Sequence, residues 1–367
     1  MARRLYELVS EVEAGNFILS PYSIATAFAM AEVGAEAETG RQLRSALGID
    51  ASTIGWHAGR SALDTAVRTP LDTPKGASPL ELEIANGLFA QAGFSMVEDF
   101  VGALTEHYRA APTSVDFTSD PEAARALINS WVAQQTADRI TELLSEGVID
   151  EDVRLVLVNT VFFRGLWLKQ FDPDRTVLDA FTLLDGTVLD VEMMNGTSRT
   201  VYGEGDGWQM VRMRYWGGYS MTVILPAPDR FTEITDRFSI GLLDEISAQQ
   251  SDRSVNLTIP KFTCATPTDL IPVFRSLGVI DAFDPARADF SGASTELPLY
   301  VSSAVHQATI EVDEFGTTAT AATAIVGRRV SAPRPAEFRA DRPFVYLIEH
   351  DATGEPLFIG RVANPTT

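Results

Sequence analysis

Few side chains in this 367-residue chain could perform acid–base or nucleophilic chemistry. Its four histidines, His57, His107, His306 and His350, have no partner at a metal-ligand spacing. The single cysteine, Cys264, cannot form an internal disulfide and reads as a small buried hydrophobe, so stability must come from packing. No G-x-S-x-G, H-E-x-x-H, C-x-x-C or Walker loop occurs. Gly203-Glu204-Gly205-Asp206-Gly207 is glycine-rich, but its spacing is wrong and its two acids would repel a phosphate; it reads as a surface turn. With so few candidate general bases, a hydrolase has little to work with, and nothing calls for a cofactor or a metal.

One segment is unusual in another way. Residues 317–327, Thr-Thr-Ala-Thr-Ala-Ala-Thr-Ala-Ile-Val-Gly, are small, β-competent and uncharged. A flexible linker would be richer in glycine and polar residues, and a core strand would carry larger side chains. Composition leaves two readings open. One is a plain surface loop. The other is a strand that slides between two existing strands, where bulk would clash and charge would be stranded. In that case a period of two puts Thr317, Ala319, Ala321, Thr323 and Ile325 on one face.

The remaining composition is ordinary: 45% hydrophobic, 22% charged, enough chain for a large core. A formal charge of −21 repels phosphate backbones, and no basic helix or dense basic run is present, so neither nucleic acid nor a membrane is expected as a partner. No apolar run reaches the ~18 residues needed to span a bilayer. The start, Met1-Ala2-Arg3-Arg4-Leu5, lacks the apolar stretch of a signal peptide. Either the chain is not secreted by that route or a leader has been removed; an extracellular and a cytoplasmic location both stay open. Only Lys75, Lys169 and Lys261 are lysines among 29 basic residues, a bias that suggests a GC-rich, bacterial genome.

The elements that must position these residues follow from periodicity. Leu5, Leu8, Val9 and Val12 predict an amphipathic helix. Residues 16–19 predict a short strand, and Ser20-Pro21 opens a helix that ends near Gly34. Leu80, Leu82 and Ile84 alternate with polar neighbours as in a half-buried strand. Helical spacing covers 96–109 and 120–145. Residues 155–163 form an apolar run suited to a strand covered on both faces. Short strands dominate 176–263, with 219–225 the clearest, and further strands cover 305–312, 343–350 and 356–362. Residues 331–337 show no pattern. There is no βαβ rhythm, linker or repeat, so the expectation is one α+β domain over residues 1–367.

Several stretches together resemble the serpin family from end to end. They are Asn16-Phe17-Ile18-Leu19-Ser20-Pro21-Tyr22-Ser23-Ile24, Val158-Asn159-Thr160-Val161-Phe162-Phe163-Arg164-Gly165-Leu166-Trp167, Pro260-Lys261-Phe262, Asp289-Phe290-Ser291-Gly292, Glu314-Phe315-Gly316-Thr317, Phe338-Arg339-Ala340-Asp341-Arg342-Pro343-Phe344 and Gly360-Arg361-Val362-Ala363-Asn364-Pro365. The resemblance implies three β-sheets, eight or nine helices and an exposed reactive loop at about 314–338. It also implies suicide inhibition. A serine protease attacks the loop, an acyl-enzyme forms, and the cut loop enters the large sheet as a new strand; this family is a standard example of strand insertion.

The same resemblance assigns a hinge to Glu314, Phe315, Gly316, Thr317, Thr318, Ala319, Thr320, Ala321 and Ala322. Phe315 departs from the charged residue usual at its position, and Thr320 is larger than the usual alanine. Counting sixteen residues from Glu314 gives a scissile bond at Val330–Ser331, which suits an elastase-like pocket. Arg328 and Arg329 are the rival scissile residues and would suit a trypsin- or subtilisin-like target. Ser20, Ser23, Asn159 and His306 match a polar cluster placed where the sheet opens; helix capping by the serines and a satisfied core role for His306 are the plainer readings, and both are compatible with the cluster. Trp167 is read as packing where the loop enters. The implied partner is an elastase-, chymotrypsin- or subtilisin-like protease held in a covalent complex by a monomer that could polymerise on heating. A non-inhibitory carrier or chaperone of the same fold is the other class. Such proteins tend to carry bulky or charged hinge residues that block insertion, and 316–327 lacks them.

Overall fold

The computed structural model describes residues 1–49, 53–71, 80–237, 241–296, 299–316 and 334–367. Its elements in chain order are α1 (Ala2–Ser10), β1 (Phe17–Leu19), α2 (Pro21–Val33), α3 (Ala37–Leu47), α4 (Thr53–Val67), β2 (Glu81–Gln91), α5 (Glu98–Tyr108), β3 (Thr113–Val115), α6 (Pro121–Gln135), β4 (Leu155–Arg164), β5 (Val177–Thr182), β6 (Val188–Gly205), β7 (Trp208–Tyr215), β8 (Tyr219–Pro226), α7 (Phe231–Asp236), α8 (Leu242–Gln249), β9 (Ser251–Pro260), β10 (Phe262–Asp269), α9 (Leu270–Ser276), β11 (Val301–Val312), β12 (Ala336–Arg339), β13 (Phe344–His350) and β14 (Glu355–Val362). The described residues thus hold nine α-helices, within the expected range.

Helix α2 is central. Ser20 caps it, accepting from the Ser23 N–H at 3.2 Å, and Pro21 takes the first helical position, where its missing N–H costs nothing. Every residue from Pro21 to Glu32 is buried, as in a helix enclosed on all sides. It packs on β2 and β4 on one side and β14 on the other, between the two sheets. By contrast α1 buries only Leu5, Tyr6 and Val9; of the stripe read from the sequence Leu5 and Val9 are buried, Leu8 is half-buried, and Val12 lies exposed beyond the helix, while Tyr6 takes a place the reading did not give it.

The smaller sheet has the order β10-β11-β4-β2-β3, and the larger runs β1-β14-β13-β8-β7-β6-β9-β12 with β5 beside β6. The second and third of the three expected sheets are joined here because β6 is 18 residues long. It pairs with β5 over Val188–Met193, with β9 over Met193–Tyr202 and with β7 over Val201–Gly205, so the larger sheet has two lobes. Phe163 on β4 pins the smaller sheet to the larger, meeting Tyr215, Tyr219 and Phe358 edge-on at centroid distances of 5.1, 5.7 and 5.7 Å.

Three expectations need correction. The helical reading of 120–145 stops at Gln135, because Ala137 and Asp138 take left-handed backbone (φ 47° and 60°) that ends the helix. The apolar spacing beyond it belongs to a loop that folds back. There the Asn129 carboxamide accepts from the N–H groups of Leu143 and Leu144 and donates to Leu144 O. The strand read at 305–312 begins at Val301. Within the patternless 331–337, Ala336 opens strand β12, which pairs in parallel with β9; only Phe338 of its four residues is buried, too little to produce a pattern. The glycine-rich run is a hairpin turn as expected: β6 ends at Gly205, and Gly207 (φ +81°) leads into β7.

Besides the β1–β14 ladder and the Arg361 guanidinium, which donates to Glu13 O and Gly15 O, Asn16 ties the N-terminal segment to the C-terminal one. Asn16 accepts from the N–H groups of Ala363 and Asn364 at 2.7 and 2.9 Å and donates to Asn364 O at 2.6 Å. Replacing it with alanine leaves these backbone groups unpaired, at roughly 1–3 kcal/mol. An Asn16→Ala variant should therefore denature at clearly lower urea concentration than the parent, and an unchanged midpoint would show that water replaces the carboxamide at no cost.

Candidate functional site

Strands β4 and β11 run parallel and bond directly to each other, from Leu155 opposite Val301 to Phe163 opposite Ile310. The seam between them is closed. Above it β11 continues to Val312 against β10, and then the chain turns. The turn is fixed from inside by the Asp313 side chain, which accepts from Phe315 N–H at 2.9 Å, and by a bridge between Asp313 and Gly316. It rests on the segment after β4. Trp167 donates its backbone N–H to Phe315 O (3.0 Å) and its indole N–H to Asp313 O (2.9 Å), while Phe171 N–H donates to Glu314 O (2.8 Å). Trp167 is fully buried and stacks on Tyr215 at 4.0 Å, consistent with a packing role.

Gly316 has φ +93°, and a Cβ there would lie 2.2 Å from Gly165 O and 2.4 Å from Trp167 N, so only glycine fits. Glu314 is buried. It accepts from the Thr176 hydroxyl at 2.7 Å and lies 3.6 Å from the Lys261 ammonium, which also reaches Glu192. Burial pushes the Asp313 carboxyl above its ordinary range. Of the expected hinge, Thr317, Thr318, Ala319, Thr320, Ala321 and Ala322 lie outside the described residues, as do Arg328, Arg329, Val330 and Ser331.

Beneath the seam the structure brings Ser20, Ser23, Asn159 and His306 together, all buried. His306 Nε2 accepts from the Ser20 N–H at 3.0 Å, so the ring proton sits on Nδ1 and is donated to Asn159 Oδ1. Asn159 in turn donates to Ser23 Oγ and, at 2.6 Å, to Asn86 Oδ1. The capping and core-histidine readings hold at the same time, since Ser20 caps α2 and His306 is satisfied. His306 and Asn159 face each other across the seam, and Asn86 stands opposite Asn159 on β2. Complete enclosure pushes His306 down to about 3, so it is neutral near pH 7. No serine hydroxyl hydrogen-bonds to this imidazole, so the cluster is not arranged as a nucleophile and base.

Asn86, Thr176 and Lys261 were not foreseen as parts of this site. Asn86 left a signal: it interrupts the apolar phase of Leu82, Ile84 and Leu88. Thr176 and Lys261 reach Glu314 only through tertiary structure and left none. Cys264 is buried, and burial pushes its thiol up, away from reactivity.

A family model described as Serpin (serine protease inhibitor) matches residues 1–365. The chain belongs to the serpin family. Its relatives include an uncharacterised serpin-like protein of Methanosarcina acetivorans, 34% identical over 98% of this chain and 84% of the relative. Another is the leukocyte elastase inhibitor of Bos taurus, 33% identical over 96% and 94%. Among solved structures, thyroxine-binding globulin in complex with thyroxine superposes with a TM-score of 0.86 at 26% identity, covering 100% of this chain and 96% of that one. Serpin48 of the insect Tenebrio molitor gives 0.86 at 28% identity over 99% and 95%. At family level this serpin is a protease inhibitor, its general partner is a protease, and such proteins are generally not catalysts.

The histidine beneath the seam gives a pH signature. Its folded pKa lies below the ordinary 6.5, so the unfolded chain binds the extra proton first. Stability from this group is present above about pH 6.5 and is lost as pH falls toward 3, with a slope approaching ~1.4 kcal/mol per unit. His306→Gln removes that proton uptake. The stability advantage of the parent over the variant should shrink between pH 7 and pH 5, measured by urea denaturation of both. A difference that stays constant across that range would mean that His306 titrates normally.

Proposed function

We propose that this serpin inhibits a serine protease as a suicide substrate. The reading is carried by the closed β4–β11 seam, above which the chain turns out of the sheet at Glu314–Gly316 and continues into residues 317–327, which are small and uncharged. The protease serine attacks the carbonyl of the scissile residue, Val330 on the count from Glu314, and the amine of Ser331 leaves. The freed strand then enters between β4 and β11. Residues 317–330 span roughly 45 Å at ~3.3 Å each, and new ladder bonds worth ~1 kcal/mol apiece bring a gain comparable to the stability of a whole domain. On this reading Thr317, Thr318, Ala319, Thr320, Ala321 and Ala322 enter first, and the protein is not itself an enzyme. A carrier reading has one specific support, the likeness to the thyroxine complex. It requires that no protease be trapped, whether the loop is ignored or cut cleanly.

Three measurements separate these readings. Incubation with elastase-, chymotrypsin-, subtilisin- and trypsin-like proteases should give, with at least one, a covalent complex that survives boiling in detergent. If every protease ignores the loop or cuts it cleanly, the carrier reading prevails. Nicking the loop with a non-target protease should raise the melting temperature by tens of degrees, since a strand joins the sheet; equal melting temperatures rule out insertion. Mass spectrometry of the peptide released from the denatured complex locates the bond. A peptide from Ser331 to Thr367 supports Val330, and one beginning at Val330 or Arg329 moves the site to Arg329 or Arg328.

A further inference from the structure

Strand β6 stays beside β7 only from Val201 to Gly205, and below Val201 it leaves to follow β9. The vacated edge of β7 is taken by the segment after β4. Trp216 N–H donates to Leu166 O, Trp167 bridges Tyr215, and Leu168 N–H donates to Arg214 O, the two hydrogen bonds at 2.8 Å. A groove remains where the strands part. It consists of two adjoining hollows of about 160 and 240 Å³ that share Lys169, Phe171, Ser198 and Leu257. Buried Phe171, Met213 and Leu257 line it with apolar surface. Exposed Lys169, Arg199 and Arg214 border the first hollow, and Lys169 with exposed Arg175 borders the second.

The charge pattern is the unusual feature. Acids outnumber bases 50 to 29 in this chain, and other cations around the groove have carboxylate partners. Lys261 reaches Glu192, Arg212 reaches Glu349, Arg253 reaches Glu204 and Arg339 reaches Asp179. Among the described residues only Lys169, Arg175, Arg199, Arg214 and Arg334 have a cationic side chain without an ion pair, side-chain hydrogen bond or ring contact, and four of these five border this groove. Two carboxylates, Asp172 and Asp252, also line it, which leaves the four cations in excess. Arg199 and Arg214 both line the first hollow, so two like charges border one cavity and neither has a carboxylate partner.

We propose that this groove binds a short oligoanion carrying phosphate or sulfate groups on at least two neighbouring centres. Guanidinium groups bind such oxyanions through paired N–H donors. The two hollows, the first with Arg199 and Arg214, the second with Arg175, and both bordered by Lys169, call for two anionic groups and not one. The paired cations on the surrounding sheet confine the ligand to this length.

Tripolyphosphate and a multiply sulfated disaccharide are the probes, titrated calorimetrically into the intact protein at constant ionic strength, with orthophosphate as the single-centre control. Saturable one-to-one binding is expected for at least one oligoanion, and which one binds tells a phosphate chain from a sulfated glycan. Orthophosphate should bind at least tenfold more weakly. The double variant Arg199→Glu, Arg214→Glu should lose at least tenfold in affinity, and Arg334→Glu should not. Because the double variant could misfold, the parent is also footprinted. The bound oligoanion should slow acetylation of Lys169 while leaving Lys261 unchanged, read by mass spectrometry. Failure of both oligoanions to bind overturns the proposal, as does undiminished affinity in a folded double variant or unprotected Lys169 at saturation. None of these readouts depends on protease inhibition, so the outcome stands apart from that of the functional proposal.

Discussion

Strands β4 and β11 satisfy each other's backbone groups only while nothing lies between them, and much of the architecture depends on that seam staying shut. A parallel pair of this kind needs cover on both faces, and α2 supplies part of it by lying against β2 and β4 with nearly its whole circumference buried. The bonds that hold the seam are not only those of the ladder. Asn159 on β4 receives the His306 proton from β11 and passes donors to Ser23 on α2 and Asn86 on β2. One carboxamide therefore joins two strands across the seam, the next strand over and the helix beneath. Separating β4 from β11 breaks the Asn159–His306 bond, both of whose members are buried, and each lone polar group left behind costs more than its bond was worth.

At the upper end of the seam the constraint is different. Trp167, Phe171 and Gly165 hold the turn at residues 313–316 by backbone contacts, and Gly316 sits too close to residues 165–167 for any side chain. Glu314 is buried with a hydroxyl and an ammonium for partners, so it is anchored, while Phe315 is only half covered. The segment that supports the turn also edges β7 and borders the basic groove. A ligand there would touch the same short stretch that positions Glu314, so the two sites share a mechanical element even though their chemistry is unrelated.

Much of this was legible in the sequence, for identifiable reasons. The cap and proline at Ser20-Pro21, the apolar run at 155–163 and the alternation at 305–312 are local signals, and each gave its element, although the last strand starts four residues earlier, at Val301. Ser20, Ser23, Asn159 and His306 were grouped by resemblance and then found in contact. What the sequence hid depends on distant chain. The loop after α6 imitates a helix because Ile140, Leu143 and Leu144 keep a helical spacing while packing from an irregular backbone held by Asn129. Strand β12 exists because β9 offers it a free edge. Lys169, Arg175, Arg199 and Arg214 are scattered over more than forty residues and form a group only because β6 parts from β7.

The seam and its polar network point to how a closed sheet can remain closed while a better-bonded arrangement exists. On the proposed mechanism, adding a strand would give β4 and β11 a new ladder each, which outweighs the single ladder they now share. The barrier lies in the order of events: the Asn159–His306 contact and the lower ladder must part before the incoming strand can supply replacements. A hydrophobic seam would lower that cost, since apolar side chains slide past one another without stranding donors. Buried hydrogen bonds resist partial opening because their loss is complete at small displacement. On that mechanism, the placement of one histidine and two asparagines across three neighbouring strands would add kinetic persistence to whatever equilibrium stability it contributes.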